Sequence, residues 1–360
     1  MMDLVRDSVE LLRGMVRIPS MSFEEGTVCA YVASALKGWG IECRVIGNNI
    51  VSCNRFYDPS LPSLALDAHI DTVPAAQSYT RDPFDPGCDS DVIWGLGSND
   101  DGGSVVAMIA AFRHFYEKRM PFNLMLLLTC EEERSGPDGA RLLYGKESPL
   151  SDADIRWVIV GEPTGMRAAI SERGLLVLDG EARGVSGHAA RNEGVNAVYL
   201  AMEDIARLRA HKFPKISPLM GEVSLNVTQI AAGTAHNVIP DKCSFVVDIR
   251  PTEQYTNEEI LSELQGLCVS TLKARNLTNC SSASYPGSPL VRTAEKLGIR
   301  TFSSPTTSDW MRTRRDAIKM GPGDSSRSHK ADEYILSSEI EEAVGIYINF
   351  ITEFYGDTLE

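Results

Sequence analysis

Apolar positions along this chain follow two different rhythms. Near the start, Val5, Val9, Leu11, Leu12 and Val16 recur at helical spacing and stop at Ile18-Pro19-Ser20, which predicts a first helix; a second is expected from about Gly26 to Gly38. Apolar runs at Arg44 to Gly47 and Leu64 to Ile70 read as strands, and a proline-rich loop follows at Asp82 to Pro86. Gly102 to Lys118 is helical in period, with Val105, Ile109, Phe112 and Tyr116 on one side, whereas Phe122 to Cys130 and Trp157 to Val160 are near-continuous apolar runs. Runs of that kind, with helices between them, belong to a sheet covered on both faces.

From about Arg173 the rhythm becomes alternating. Leu175 to Gly184 alternates apolar and polar residues, and a helix is expected over Asn196 to Ala210. Two more alternating strands, SLNVTQIAAG and CSFVVDIRP, precede the helix TNEEILSELQGLCV and a last strand at TNCSSASY, Thr278 to Tyr285. The order βαββαβ makes a self-sufficient two-layer unit. After Pro286 the first texture resumes with a helix near Val291 to Leu297, a strand at Ala317 to Gly321 and a final helix over Ser337 to Tyr355. The expected fold class is therefore α/β, with one domain built from residues 1–172 and 286–360 and a second inserted at 173–285.

Composition adds little: 43% of residues are hydrophobic and 23% charged, as in ordinary soluble domains. Charge adds more, because Lys and Arg total 35 against 49 for Asp and Glu, a formal balance of −14. So acidic a chain repels phosphate backbones, and nucleic acid is not an expected partner. The eight cysteines are dispersed with no CxxC pair, so buried free thiols in a reducing compartment are expected. The first residues lack the basic and apolar regions of a signal peptide, and no apolar run approaches the ~18 residues of a membrane span, which gives a cytoplasmic expectation with no membrane partner.

Chemistry gathers at strand ends. LALDA, Leu64 to Ala68, runs into His69 and Asp71; Phe122 to Cys130 runs into Glu131-Glu132-Glu133; Trp157 to Val160 runs into Gly161-Glu162; and AIKMGPG leads toward His329. In open α/β sheets ligands bind beyond the carboxyl ends of strands. Residues two apart on a strand share a side, so His69 can ligate a metal while Asp71 fixes its tautomer, although the pair reads also as a histidine hydrogen-bonded to a loop aspartate. The stretch Gly95-Leu96-Gly97-Ser98-Asn99-Asp100 fails as a phosphate loop, because Asp100 stands where a third glycine belongs and would oppose an anion. Asp100 or Asp101 could cap the following helix; an aspartate fixed there could also bridge two cations. Three adjacent glutamates usually form a solvated loop, but a metal pair would let one ligate while another takes a proton from water. Five imidazole and carboxylate ligands, one of them bridging, suit two Zn²⁺ ions with open positions.

Six motifs carry a family resemblance: HIDTVP from His69, GLGSNDDGG from Gly95, TCEEE from Thr129, VGEPT from Val160, SGHAA from Ser186 and SHKADEYI from Ser328. Together, and in order, they resemble the M20 metallopeptidases, more narrowly the acetylornithine deacetylase and succinyl-diaminopimelate desuccinylase group. The resemblance implies a zinc-peptidase-like catalytic domain, a mixed sheet between helices, with an inserted βαββαβ ferredoxin-like lid and dimerisation domain. It implies that His69, Asp100 and Glu162 bind one zinc and that Glu133, His329 and the bridging Asp100 bind the other, with Co²⁺ able to substitute. Asp71 would support His69, Glu132 would be the general base, and Glu131 would take the place of the family's preceding acid. The family's lysine after the bridging aspartate is absent, since Gly102 follows Asp100-Asp101. His188 would reach the active site of a partner subunit in a homodimer and stabilise the oxyanion, while Asn237, Arg250 and Thr307 are candidate substrate contacts, with Ser308 and Asp309 beside Thr307 at a pocket floor. Each of these residues reads also as a turn former or surface side chain.

The implied reaction is removal of an acyl group from a small N-acyl amino acid. N-acetylornithine, N-acetylcitrulline or N-succinylornithine in arginine biosynthesis is the first expectation, with succinyl-diaminopimelate desuccinylation or dipeptide hydrolysis as the alternative. A serine hydrolase needs a nucleophile elbow, and no GxSxG occurs. A non-catalytic relative would be expected to have lost the base or the ligands, and all are present.

Overall fold

The computed structural model describes residues 2–88, 91–191 and 193–357; the ends of the expected domain ranges, residues 1 and 358–360, lie outside them. The chain forms two compact units, one of Met1–Ile170, Ala283–Phe302 and Ser308–Glu360, the other of Ser171–Ser282 and Ser303–Thr307.

In chain order, the first unit begins with α1 (Met2–Val16), α2 (Gly26–Gly38), β1 (Arg44–Ile46), β2 (Asn49–Cys53), β3 (Ser63–His69), β4 (Val92–Trp94), α3 (Gly103–Phe115), β5 (Asn123–Thr129), α4 (Ala140–Tyr144), β6 (Ile155–Val160) and β7 (Ala168–Glu172). The second unit supplies β8 (Leu176–Arg183), β9 (Gly187–His188), α5 (Ala197–Ala210), β10 (Ser224–Ala232), β11 (Val238–Ile239), β12 (Lys242–Arg250), α6 (Asn257–Leu267) and β13 (Thr271–Ala274). β14 (Ser282–Ala283), α7 (Pro289–Lys296), β15 (Thr301–Ser304), α8 (Trp310–Thr313), β16 (Asp316–Lys319), β17 (Tyr334–Leu336) and α9 (Ser337–Asp357) complete the chain.

The first unit is a mixed sheet between helices, in the order β1-β2-β5-β3-β6-β16-β7. β5, β3, β6 and β16 run parallel, while β2 and β7 are antiparallel to their neighbours. The period-2 alternation of strands decides what each face receives. Leu64, Leu66 and Ala68 of β3, with Leu124, Leu126 and Leu128 of β5, enter the large core formed with α1, α2, α3 and α9. Ala65, Met125, Leu127, Val158, Val160 and Ala317 enter a smaller core with Leu143 of α4 and Trp310 of α8. By the same alternation His69, Thr129 and Lys319 belong to this second face, at the carboxyl ends of β3, β5 and β16. Polar groups therefore end these strands on the face that carries the thinner helical layer, and all three are buried.

The second unit has the order β8-α5-β10-β12-α6-β13, interrupted only by the short β9–β11 ribbon, and its antiparallel sheet is ordered β10-β12-β8-β13. Leu176, Leu178, Phe245, Val247 and Ile249 pack with Ala201, Leu208, Ile260 and Leu264 of α5 and α6 in a core of its own. Both helices start at side-chain caps: Asn196 accepts from the Val198 amide, and Thr256 with Glu259 forms a reciprocal capping box. The fourth strand is Thr271–Ala274, not the expected Thr278–Tyr285, which holds only the two residues of β14. Leu272 is buried between exposed Thr271 and Lys273, the alternation of a one-sided strand, whereas Asn257 fastens the later segment by donating to the Leu277 and Asn279 carbonyls. Cys29, Cys130 and Cys243 are buried free thiols, as expected, whereas Cys43, Cys53 and Cys268 are half-buried and Cys88 and Cys280 exposed. Among the described residues no helix is long and apolar enough to cross a membrane.

Candidate metal centre

Ligand atoms of His69, Asp100 and Glu133 lie within 4.8 Å of one another. His69 ends β3 opposite Thr129 of β5, so the donor is fixed by the sheet itself. Its Nε2 is 3.3 Å from Asp100 Oδ1, and its Nδ1 faces Asp71, 3.0 Å from the backbone oxygen and 3.4 Å from Oδ1. His329, in a left-handed conformation between β16 and β17, places Nε2 2.9 Å from Glu133 Oε1 and 3.7 Å from Asp100 Oδ2. Asp100 thus offers one oxygen to each imidazole, the disposition a bridging carboxylate requires. Neither Asp100 nor Asp101 caps α3, whose N-cap is Gly102 with no side-chain bond. Gly161, which leads from β6 to Glu162, is required by space: a Cβ there would meet Ser104 Cβ at 2.7 Å and Asp101 Oδ2 at 2.9 Å.

Asp71 organises the segment after β5. Its Oδ1 accepts the Glu132 amide at 3.0 Å, and its Oδ2 accepts the Glu133 amide at 3.1 Å and the Ser22 hydroxyl at 2.7 Å. The glutamate triplet is split, with Glu131 turned aside from Glu132 and Glu133. Glu131 adopts φ 61, its amide donates to Glu25 at 3.1 Å, and its Oε2 accepts the Asp138 amide at 2.9 Å, which directs it away from Glu133. Concavity alone would point elsewhere, since a groove of about 780 Å³ is lined by Glu42, Arg44, Arg55 and Tyr57 and includes none of these donors.

Electrostatics describe a site overfilled with acid. Burial opposes the ionised form of Asp71, but its bond to His69, the imidazole charge, Ser22 and the Glu132 amide outweigh burial and hold it below the usual carboxylate range. Burial, then the charges of Glu162, Asp309 and Glu133, push Glu132 well up against the pull of His69. Burial and Asp100 do the same to Glu162, against Lys319. For His69, burial works against protonation, yet its bonds to Asp100 and Asp71 raise it well above the ordinary histidine value; the bond to Glu133 raises His329 to about 9. Borderline dications such as Zn²⁺ fit this donor set of imidazoles and carboxylates, because they favour the deprotonated form of every ligand while replacing protons as the compensating charge.

His188, Asn237, Arg250 and Thr307 belong to the second unit. His188 pairs with Val238 on the β9–β11 ribbon, and the Ala189 amide donates to the Asn237 carbonyl at 3.1 Å, so His188 and Asn237 are neighbours. Arg250 lays its guanidinium on Asp248, at 2.9 and 3.2 Å. Thr307 is half-buried in the short return segment Ser303–Thr307. Two contributors, Ser22 and Glu333, were not legible beforehand, whereas Asp309 was an expected pocket residue. Ser22 braces Asp71; Asp309, wholly within the first unit, accepts the Thr129 hydroxyl at 2.7 Å. Glu333 accepts the amides of Gly97, Asn99 and Asp100 at 3.2, 2.9 and 2.9 Å. Glu333 sits inside the motif SHKADEYI, four residues after His329, which is the one signal that could have drawn notice to it.

A succinyl-diaminopimelate desuccinylase of Cereibacter sphaeroides is 28% identical to this chain over 379 residues, covering 97% of it and 99% of the relative. Aminopeptidase PepT of Bacillus cereus has a similar structure, with a TM-score of 0.77 at 17% identity over 97% of this chain and 98% of that one. A dinuclear metal binding peptidase from family M20 of Bacillus subtilis gives 0.73 at 14% identity, over 99% and 98%. At those identities the structural likeness speaks to the fold alone. Residues 65–353, the span that delivers every donor described above, match peptidase family M20/M25/M40, and the chain belongs to that family as a metal-dependent amidohydrolase.

Proposed function

We propose that this protein is a dinuclear zinc hydrolase that removes the succinyl group from N-succinyl-diaminopimelate or a close N-acyl amino acid. The similarity to a succinyl-diaminopimelate desuccinylase along nearly both full lengths carries the choice of substrate, and favours it over N-acetylornithine, the first expectation from sequence. The proposed ligands are His69, Asp100, Glu133, Glu162 and His329, with Asp100 shared. Two such ions would polarise the amide carbonyl and lower the pKa of a water toward ~7. Glu132, its amide fixed by ionised Asp71, takes the proton of the attacking water and returns it to the leaving amine. Asp71 keeps His69 oriented through Nδ1, leaving Nε2 for the metal side.

The second unit is proposed as a lid and dimerisation domain. His188 Nδ1 accepts the Ala190 amide at 3.2 Å, so the neutral ring carries its hydrogen on Nε2, the tautomer that can donate to a developing oxyanion. Asn237 beside it is a proposed substrate contact, as are Thr307 and Arg250, the latter by sharing its fork between Asp248 and a substrate carboxylate. Exposed Val185 pairs with exposed Val195, and exposed Tyr199 and Met202 stand one turn apart on α5; these apolar side chains are the proposed contact with a second copy of this chain. Amine release from N-succinyl-diaminopimelate, N-succinylornithine, N-acetylornithine, N-acetylcitrulline and dipeptides by zinc-loaded protein tests the reading. The highest kcat/KM is expected for N-succinyl-diaminopimelate; a preference for an acetylated substrate would restore the first expectation.

A further inference from the structure

The loop that failed as a phosphate cradle does hold a carboxyl group, and the group is the chain's own. Gly97, at φ 75, turns the backbone so that the amides of Gly97, Asn99 and Asp100 converge on the Glu333 carboxylate, which is 2% exposed. Converging amides of this kind form a nest for negative charge. The two segments are also joined by backbone: the Gly95 amide donates to the Glu333 carbonyl at 2.8 Å, and Tyr334 pairs with Trp94 where β17 meets β4. On one side of this junction stands Asp100, and four residues before Glu333 stands His329.

We infer that Glu333 is a positioning residue that locks the Asp100 loop to the His329 segment, so that both are set for a shared cation before it arrives. The inference rests on the reading of Asp100 and His329 as ligands. Asp100 is held through its own amide by Glu333 Oε1 at 2.9 Å, and its two oxygens reach toward His69 and His329. Loss of Glu333 would orphan three amides in a buried loop and free that carboxylate to tilt. The loop would still be tethered, because Asn99 exchanges hydrogen bonds with the Asp324 backbone at 3.0 and 3.1 Å. A variant lacking Glu333 should therefore fold with a loosened metal site.

The test is Co²⁺ titration of metal-free wild-type protein, Glu333→Ala, Glu333→Gln and Asp100→Ala, followed by visible absorption, with thermal unfolding of each metal-free form. Glu333→Ala should bind Co²⁺ about 10–100-fold more weakly, in the range typical for groups that support a ligand. Acetate in excess should refill its nest and recover affinity, acetamide should not, and wild-type protein should ignore both. Glu333→Gln should fall between, since its oxygen can keep the Asn99 and Asp100 amides while its NH₂ faces Gly97. Unchanged affinity in Glu333→Ala, or a loss that acetate fails to recover, overturns the inference; if that variant does not fold, wild-type affinity in Glu333→Gln overturns it. Asp100→Ala separates the two claims. Full Co²⁺ binding by that variant defeats the ligand reading itself, whereas its loss beside undiminished Glu333 variants defeats only the positioning role.

Discussion

Replacing Asp71 by asparagine changes one oxygen to NH₂ and nothing in shape, so its effect can be worked from the bonds. Asp71 is 1% exposed and is surrounded by donors: the Glu132 amide on one oxygen, the Glu133 amide and Ser22 hydroxyl on the other, and His69 Nδ1 beside the first. Whichever way the amide sits, its NH₂ confronts one backbone N–H that has no other partner. An orphaned buried donor costs about 1–3 kcal/mol, and loss of a charged acceptor about 1.5–3 kcal/mol more, giving roughly 2.5–6 kcal/mol in all. Part of this should appear as reduced stability of the metal-free protein and part as metal affinity, where a tenfold loss corresponds to about 1.4 kcal/mol. Denaturant unfolding and zinc titration of Asp71→Asn measure the two parts, and steady-state turnover at saturating zinc measures what remains for Glu132. Wild-type unfolding and affinity in this variant would refute the claim that Asp71 organises the centre.

Two other outcomes are expected. His188→Ala should keep full zinc content and lose at least about tenfold in kcat, as removal of an oxyanion donor does; an unaltered rate would remove His188 from the reaction. Asp204 is buried in the second unit, and although burial opposes its ionisation, the Ser270 and Val269 amides and Arg207 hold its carboxyl below the usual range. A depressed folded-state value means that its contribution is complete above the unfolded value near ~3.9 and is lost as pH falls through the folded one. Asp204→Asn should thus destabilise the second unit by about 1.5–3 kcal/mol at neutral pH and by little in strong acid, read as faster hydrogen exchange of the Val269 and Ser270 amides.

Much of the fold was legible because single residues had one satisfactory place. Leu64, Leu66 and Ala68 against Ala65 and His69 reproduce the alternation that puts the histidine on the thinner face, and the helix bounds Gly26–Gly38 agree with those read from periodicity. Thr271–Ala274 escaped because four residues carry too little alternation to be heard beside the polar TNCSSASY. The candidate ligands His69, Asp100 and Glu133 stood out in the sequence because their types and order imply chemistry, and the structure brings their ligand atoms within 4.8 Å of one another. Ser22 and Glu333 did not, because a residue that works by accepting backbone amides, or by bracing another side chain, leaves no pattern in sequence. The split of the glutamate triplet was equally hidden, as it depends on the left-handed backbone of Glu131 and on Glu25, 106 positions away.

The most direct test of the account is zinc content and turnover of Glu132→Gln, measured on one preparation beside wild-type protein. The account predicts two zinc ions per chain in both and a fall in kcat of about 10²–10⁴-fold in the variant, the contribution of a positioned general base. Near-normal turnover, or a loss of zinc that explains the loss of activity, would contradict it.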